Sequence, residues 1–170
     1  MERFDERIFL RSLTLRPEDA RAFANKFRAE WLHSAMYQPV FAEIQSFIKE
    51  FKKAPSIQAL HLRFASKDKQ VYQVRIKPVL DDLETVQVDN SAQMEVLKQA
   101  SDVAIVRSLQ ELQADQEFNS LQADFSGKEL LRTIQRWIHM HLGLREDKTM
   151  NIDEAVMDLF ITDAFKKDAD

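Results

Sequence analysis

Apolar residues recur along most of this chain at spacings of three and four, the period that places them on one face of an α-helix. Around residues 4 to 14 the pattern predicts a short amphipathic helix with Phe4, Ile8 and Leu15 toward a core and Arg3, Arg7 and Arg11 toward solvent. Pro17 then stands where a first helical position belongs, with Glu18 and Asp19 in the first turn. Ala20, Phe23, Ala24, Phe27 and Trp31 follow at helical spacing, which predicts a second helix ending near Phe27 or slightly later.

The heaviest apolar stripe lies between Ala35 and Lys52 and carries Met36, Tyr37, Val40, Phe41, Ile44, Phe47, Ile48 and Phe51. It is the expected centre of the core. Pro39 fits if the helix proper begins there, because a proline in the first turn removes no helical hydrogen bond. Pro55 stops the chain, and Ser56 or a neighbour opens a shorter helix bearing Ile57, Leu60, Leu62 and Phe64. A helix from roughly Lys69 to Thr85 is expected next, interrupted or kinked near Pro78, and the polar stretch Gln87 to Ser91 reads as a connector.

From Ala92 to about Phe118 runs the longest segment without glycine or proline that still keeps a helical pattern. Met94, Leu97, Ser101, Ala104, Ile105, Ser108 and Leu112 form one stripe, while Val103 and Val106 point elsewhere. A helix apolar on two sides touches two partners. Leu97, Val103, Ala104, Ile105, Val106 and Leu112 are therefore the candidate protein-binding residues. Two further helices are announced by capping signatures, Ser126 with Glu129 and Asn151 with Glu154. The fold class expected is all-α, a compact helical head over residues 1–88 followed by a long-helix hairpin or assembly region over 89–170.

Composition narrows the picture in the same direction. Two glycines and four prolines in 170 residues cannot supply the turns of a β architecture. With no cysteine there is no disulfide, thiolate metal site or cysteine nucleophile, which fits a reducing, cytoplasmic setting. A net charge of −4 with mixed signs gives no general attraction to nucleic acid, so direct nucleic-acid binding is expected to be weak or absent. No apolar run nears the roughly 20 residues of a membrane span, and the charged start MERFDERIFLRSL is unlike a signal peptide, so neither a membrane nor export is expected. Lys49, Lys52 and Lys53 gather at a helix end, where cations complement the helix dipole.

No catalytic set, cofactor or metal site is expected. Gly127-Lys128 is an isolated pair, whereas a phosphate-binding loop needs several glycines to bring backbone N–H groups to the phosphates. His139 and His141 are two apart and would point about 200° apart on a helix, too far to share one ion; His33 and His61 have no recognisable ligand spacing with them. The carboxylate pairs Asp81-Asp82 and Asp153-Glu154 read as a solvated helix face and a helix first turn. The aromatic stripe Tyr37, Phe41, Phe47 and Phe51 lacks interleaved basic residues and reads as core rather than as a base-stacking platform.

The order of these signals over Ile8 to Ala65 resembles the N-terminal domain of DnaB-type hexameric replicative DNA helicases, particularly those of T-even-like bacteriophages. The short opening helix at Ile8-Phe9-Leu10, the aromatic segment with Phe27, Trp31, Met36 and Tyr37, the helix Phe41-Ala-Glu-Ile44-Gln-Ser-Phe47-Ile48 and the run Ala54-Pro55-Ser56-Ile57-Gln58-Ala59-Leu60 carry the likeness. Gln93 to Leu112 sits where that family places the first helix of an antiparallel hairpin, with Ile152 to Phe165 as the return helix. The resemblance implies a non-catalytic DNA replication (primosome) module. Its implied partners are copies of itself, as a dimer or higher oligomer, a helicase motor domain, and a primase or helicase loader. The family's ATPase motor is not found in these residues, so the chain is expected to be either the amino-terminal part of a longer or split helicase, or a stand-alone adaptor, loader or inhibitor.

Overall fold

The structure is a computed structural model that describes residues 4–114, 131–132 and 134–136. All regular structure among the described residues is helical, so the chain is all-α. Two compact units are distinguished, Met1–Leu109 and Gln110–Asp170.

Helix α1 (Glu6–Leu15) begins at Asp5, whose side chain accepts from the Ile8 N–H at 3.1 Å, and Glu6 adds negative charge to the first turn. It stops at Arg16 because a residue followed by proline avoids the helical region; Arg16 sits at φ −123°, ψ 87°. Its buried face is Phe9, Leu10, Ser12 and Leu13. That differs from the face expected: Ile8 and Phe4 are half-buried at the edge, Leu15 is exposed, and Arg11 is half-buried with its guanidinium donating to Thr14. In a ten-residue helix with apolar residues on adjoining sides, the pattern alone leaves rotation about the axis open, and the ring of Phe9 against Phe23, Phe27 and Phe41 decides it.

Helix α2 (Pro17–Lys26) starts on its proline and ends at Phe27, as the pattern predicts. Gln45 reaches across from the next helix and donates to the carbonyls of Ala24 and Phe27 at 3.1 and 2.8 Å, satisfying backbone acceptors at the open end of α2. A 3₁₀ turn (Ala29–Trp31) leads on to α3 (Gln38–Phe51). Helix α3 buries Val40, Phe41, Ile44 and Ile48, whereas Met36 and Phe51 at the ends of its stripe are exposed and Phe47 is half-buried. It closes on Lys52 in the left-handed conformation, φ 60°, with the Lys52 N–H bonded to the Ile48 carbonyl.

Helix α4 (Ile57–Lys67) is capped by Ser56, which accepts from the Ala59 N–H at 3.1 Å. Ile57 and Leu60 are buried with Pro55 at the corner, and Phe64 packs at the edge, but Leu62 faces solvent. The stretch expected to be kinked near Pro78 is a one-turn helix α5 (Lys69–Val71), a π-turn (Tyr72–Ile76) and α6 (Lys77–Thr85) in unbroken succession. Pro78 has no N–H to give and its ring crowds the carbonyl four residues back, so the turn before it widens.

Asp89 accepts from the Ala92 N–H at 2.7 Å and opens α7 (Asn90–Ala114). The first unit has one core, drawn from α1 to α4, from Ile76 of the π-turn, from α6 and also from Val96, Leu97, Ala100 and Ala104 of α7. The head thus takes in the first turns of the long helix and extends to Leu109, beyond the limit expected at residue 88. Val96 and Ala100 escaped the expected stripe, and Met94, assigned to it, is exposed.

In the second unit the described residues 131–132 and 134–136 are helical and Ile134 is buried. The capping signatures at Ser126 and Asn151, the return helix at Ile152–Phe165 and the pair His139 and His141 lie outside the described residues. Among the described residues no helix is long and apolar enough to cross a membrane.

Candidate functional site

The residues proposed from sequence for protein binding all lie on α7, and burial sorts them. Leu97 and Ala104 are in the core of the head, Ile105 and Leu112 are buried, and Val103 is half-buried against the same core. Val106 is the one of the six that stands in solvent, at 40% exposure. It sits three residues beyond the half-buried Val103. Five of the six therefore serve the protein's own interior. The exposed large apolar residues of α7 are Met94 and Val106, twelve residues apart, and the exposed surface around them includes Glu95, Lys98, Asp102 and Arg107.

The aromatic stripe of α3 is likewise divided. Tyr37 and Phe41 are buried, while Phe47 and Phe51 lie against each other at 4.6 Å between ring centroids, under the Arg63 guanidinium at 5.5 and 5.8 Å. Arg63 is held there by Glu43 at 2.5 Å and Glu50 at 2.9 Å, and Lys67 also pairs with Glu43. Burial pushes the Glu43 carboxyl up, but the hydrogen bonds from Lys67 and Arg63 outweigh it and hold the group below the usual carboxylate range. The four charges lock α3 to α4.

A second group of chemically able side chains sits where α4 meets α6. The His61 Nδ1 and the Tyr72 hydroxyl share a hydrogen bond of 2.8 Å, and His61 Nε2 faces Asp81 Oδ1 at 3.5 Å. Lys77 donates to the other oxygen of Asp81 at 2.8 Å, a hydrogen bond that lowers the Asp81 carboxyl and raises the Lys77 ammonium. Glu84 completes the group: donor atoms of His61, Asp81 and Glu84 all lie within 4.8 Å of one another. Sequence reasoning compared His61 only with other histidines and read Asp81 as a solvated face. Its partners stand 20 and 23 residues on, on another helix, and no local spacing signals them.

Comparison of the chain with family models, with curated proteins and with solved structures finds no match in any of the three.

Proposed function

We propose that this chain is a non-catalytic module of DNA replication, similar to the N-terminal domain of a DnaB-type helicase, which mediates ring assembly and offers a docking surface to primase or a helicase loader. The observation that carries the reading is the relation of α7 to the head. A compact helical head takes its last core residues, up to Ala104, from a 25-residue helix that continues past the head's limit at Leu109. A head built onto the first turns of a longer helix is the arrangement that the resemblance implies for a head followed by a hairpin. The order of elements over Ile8 to Ala65, with the Pro55-Ser56 corner opening α4, supports it further.

The reading is tested by light scattering and sedimentation of the full chain, followed by capture experiments against a helicase motor and a primase from the same genome. Self-association at tens of micromolar together with retention of the motor or the primase is the expected result. A strict monomer that retains neither overturns it. Retention of an intact helicase by a monomeric chain favours the adaptor, loader or inhibitor instead.

A further inference from the structure

We propose that His61, Asp81 and Glu84 form a binding site for a divalent transition-metal ion, a clip between α4 and α6 that is independent of the replication reading. The donor set is one imidazole nitrogen and two carboxylates, a mixture that suits zinc and its neighbours better than calcium or magnesium, which prefer oxygen throughout. Three protein ligands leave one position of a tetrahedral ion open to water. Zinc–ligand bonds of about 2.0–2.2 Å place tetrahedral donors roughly 3.5 Å apart. His61 Nε2 and Asp81 Oδ1 already stand at 3.5 Å, and the 4.8 Å limit on the whole set leaves an adjustment that the exposed carboxylates make by rotating.

What separates this group from a chance meeting of surface acids is the support behind the ligands. A metal-binding histidine uses one ring nitrogen for the ion and gives the N–H of the other to an acceptor that fixes the ring. Here Nδ1 is engaged by the Tyr72 hydroxyl, which leaves Nε2 directed at the two carboxylates. A ligating carboxylate in turn needs a donor on its second oxygen, and Lys77 supplies one to Asp81 Oδ2 while Oδ1 faces the imidazole. Glu84 has no hydrogen bond or ion pair among the described residues, and it stands three positions after Asp81 on the same side of α6.

The backbone is shaped for this arrangement. In an uninterrupted α-helix Tyr72 and Asp81, nine residues apart, would lie about 180° apart around the axis. The π-turn at Tyr72–Ile76 takes up an extra residue, so the spacing acts like eight and the two side chains lie roughly 80° apart, both within reach of His61.

The test is titration of the full chain with Zn²⁺ by calorimetry and with Co²⁺ by visible absorption, using wild type, His61→Ala, Glu84→Gln, Tyr72→Phe and His33→Ala, with helicity of each checked by circular dichroism. One saturable equivalent with Kd below about 100 µM is expected for wild type and His33→Ala. Glu84 is exposed, so Glu84→Gln is expected to keep the fold and decides the question even if His61→Ala fails to fold; each is expected to weaken binding at least about tenfold, and Tyr72→Phe by roughly 10- to 100-fold. Because His139 and His141 also bind metals in principle, the double variant His139→Ala/His141→Ala is included and is expected to bind as wild type does. Absence of saturable binding, or wild-type affinity in folded His61→Ala or in Glu84→Gln, overturns the site.

Discussion

Arg63 Nε lies 2.5 Å from Glu43 Oε1, and this pair joins the centre of α4 to the one buried carboxylate of α3. The Glu43 side chain is 6% exposed, so its charge is stabilised by Arg63 and Lys67 rather than by water. Glu43→Gln is expected to cost about 1–3 kcal/mol at neutral pH, the range for charge-assisted hydrogen bonds, moderated because Arg63 keeps Glu50. Urea denaturation measures it.

The same carboxylate gives the head a pH dependence of known sign. Its folded value is held below the unfolded value of about 4.3, so the stabilisation is complete above that pH and is lost as the pH falls through the folded value. The difference in stability between wild type and Glu43→Gln should therefore shrink when the denaturation is repeated below about pH 4. A difference that stays constant down to acid denaturation would show that the pair contributes through packing alone.

Lys52 holds a left-handed conformation at the end of α3 without being glycine, and it is the sole non-glycine residue of positive φ among the described residues. Lys52→Gly removes the clash of Cβ with its own backbone and should raise stability by about 0.5–1 kcal/mol, after allowance for the freer unfolded chain. Lys52→Val should lower it. Thermal melts of the two variants decide the point.

Phe41 and Leu60 are completely buried at the meeting of α3 and α4, whereas Leu62 is 69% exposed. Phe41→Ala and Leu60→Ala should each cost about 2–5 kcal/mol through lost burial and the cavity left behind. Leu62→Ala should change stability by less than about 0.5 kcal/mol. Equal effects at positions 60 and 62 would contradict the face assigned to α4.

If the exposed side of α7 pairs with another chain, Val106→Glu places a charge in that contact and should shift the protein toward monomer with helicity intact. Val103→Glu should instead lower the melting temperature, because Val103 packs against the head's own core. Sedimentation and circular dichroism on both variants separate assembly from folding.

Helix starts were the most legible part of this sequence. Pro17 and Ser56 act within one turn, and α2 and α4 begin where these signals stand, whereas Asp89, which opens α7 at Asn90, lies inside the stretch read as a connector. Rotation about a helix axis was less so: Phe9, Leu10 and Leu13 turn inward where Phe4, Ile8 and Leu15 were expected, because three neighbouring aromatic rings from later helices fix α1. Pro78 announced a disturbance but not its form. The cluster at His61 was invisible because it depends on that form, and on a meeting of helices that no short window of sequence contains.

The Arg7 guanidinium grips both oxygens of Asp82 at 2.9 Å, and Arg16 reaches Asn90 at 2.8 Å. Residues of α1 are therefore completed by residues made some 75 positions later. At about 5–20 residues per second the ribosome takes roughly 4–15 s to supply them. Over that interval the side of α1 that meets α6 waits for its partner, and the hypothesis that follows is that a chaperone holds the nascent chain there. Fusing a bulky tag at the amino terminus, or slowing translation before Asp82, should bear on yield more than the same change placed after α7.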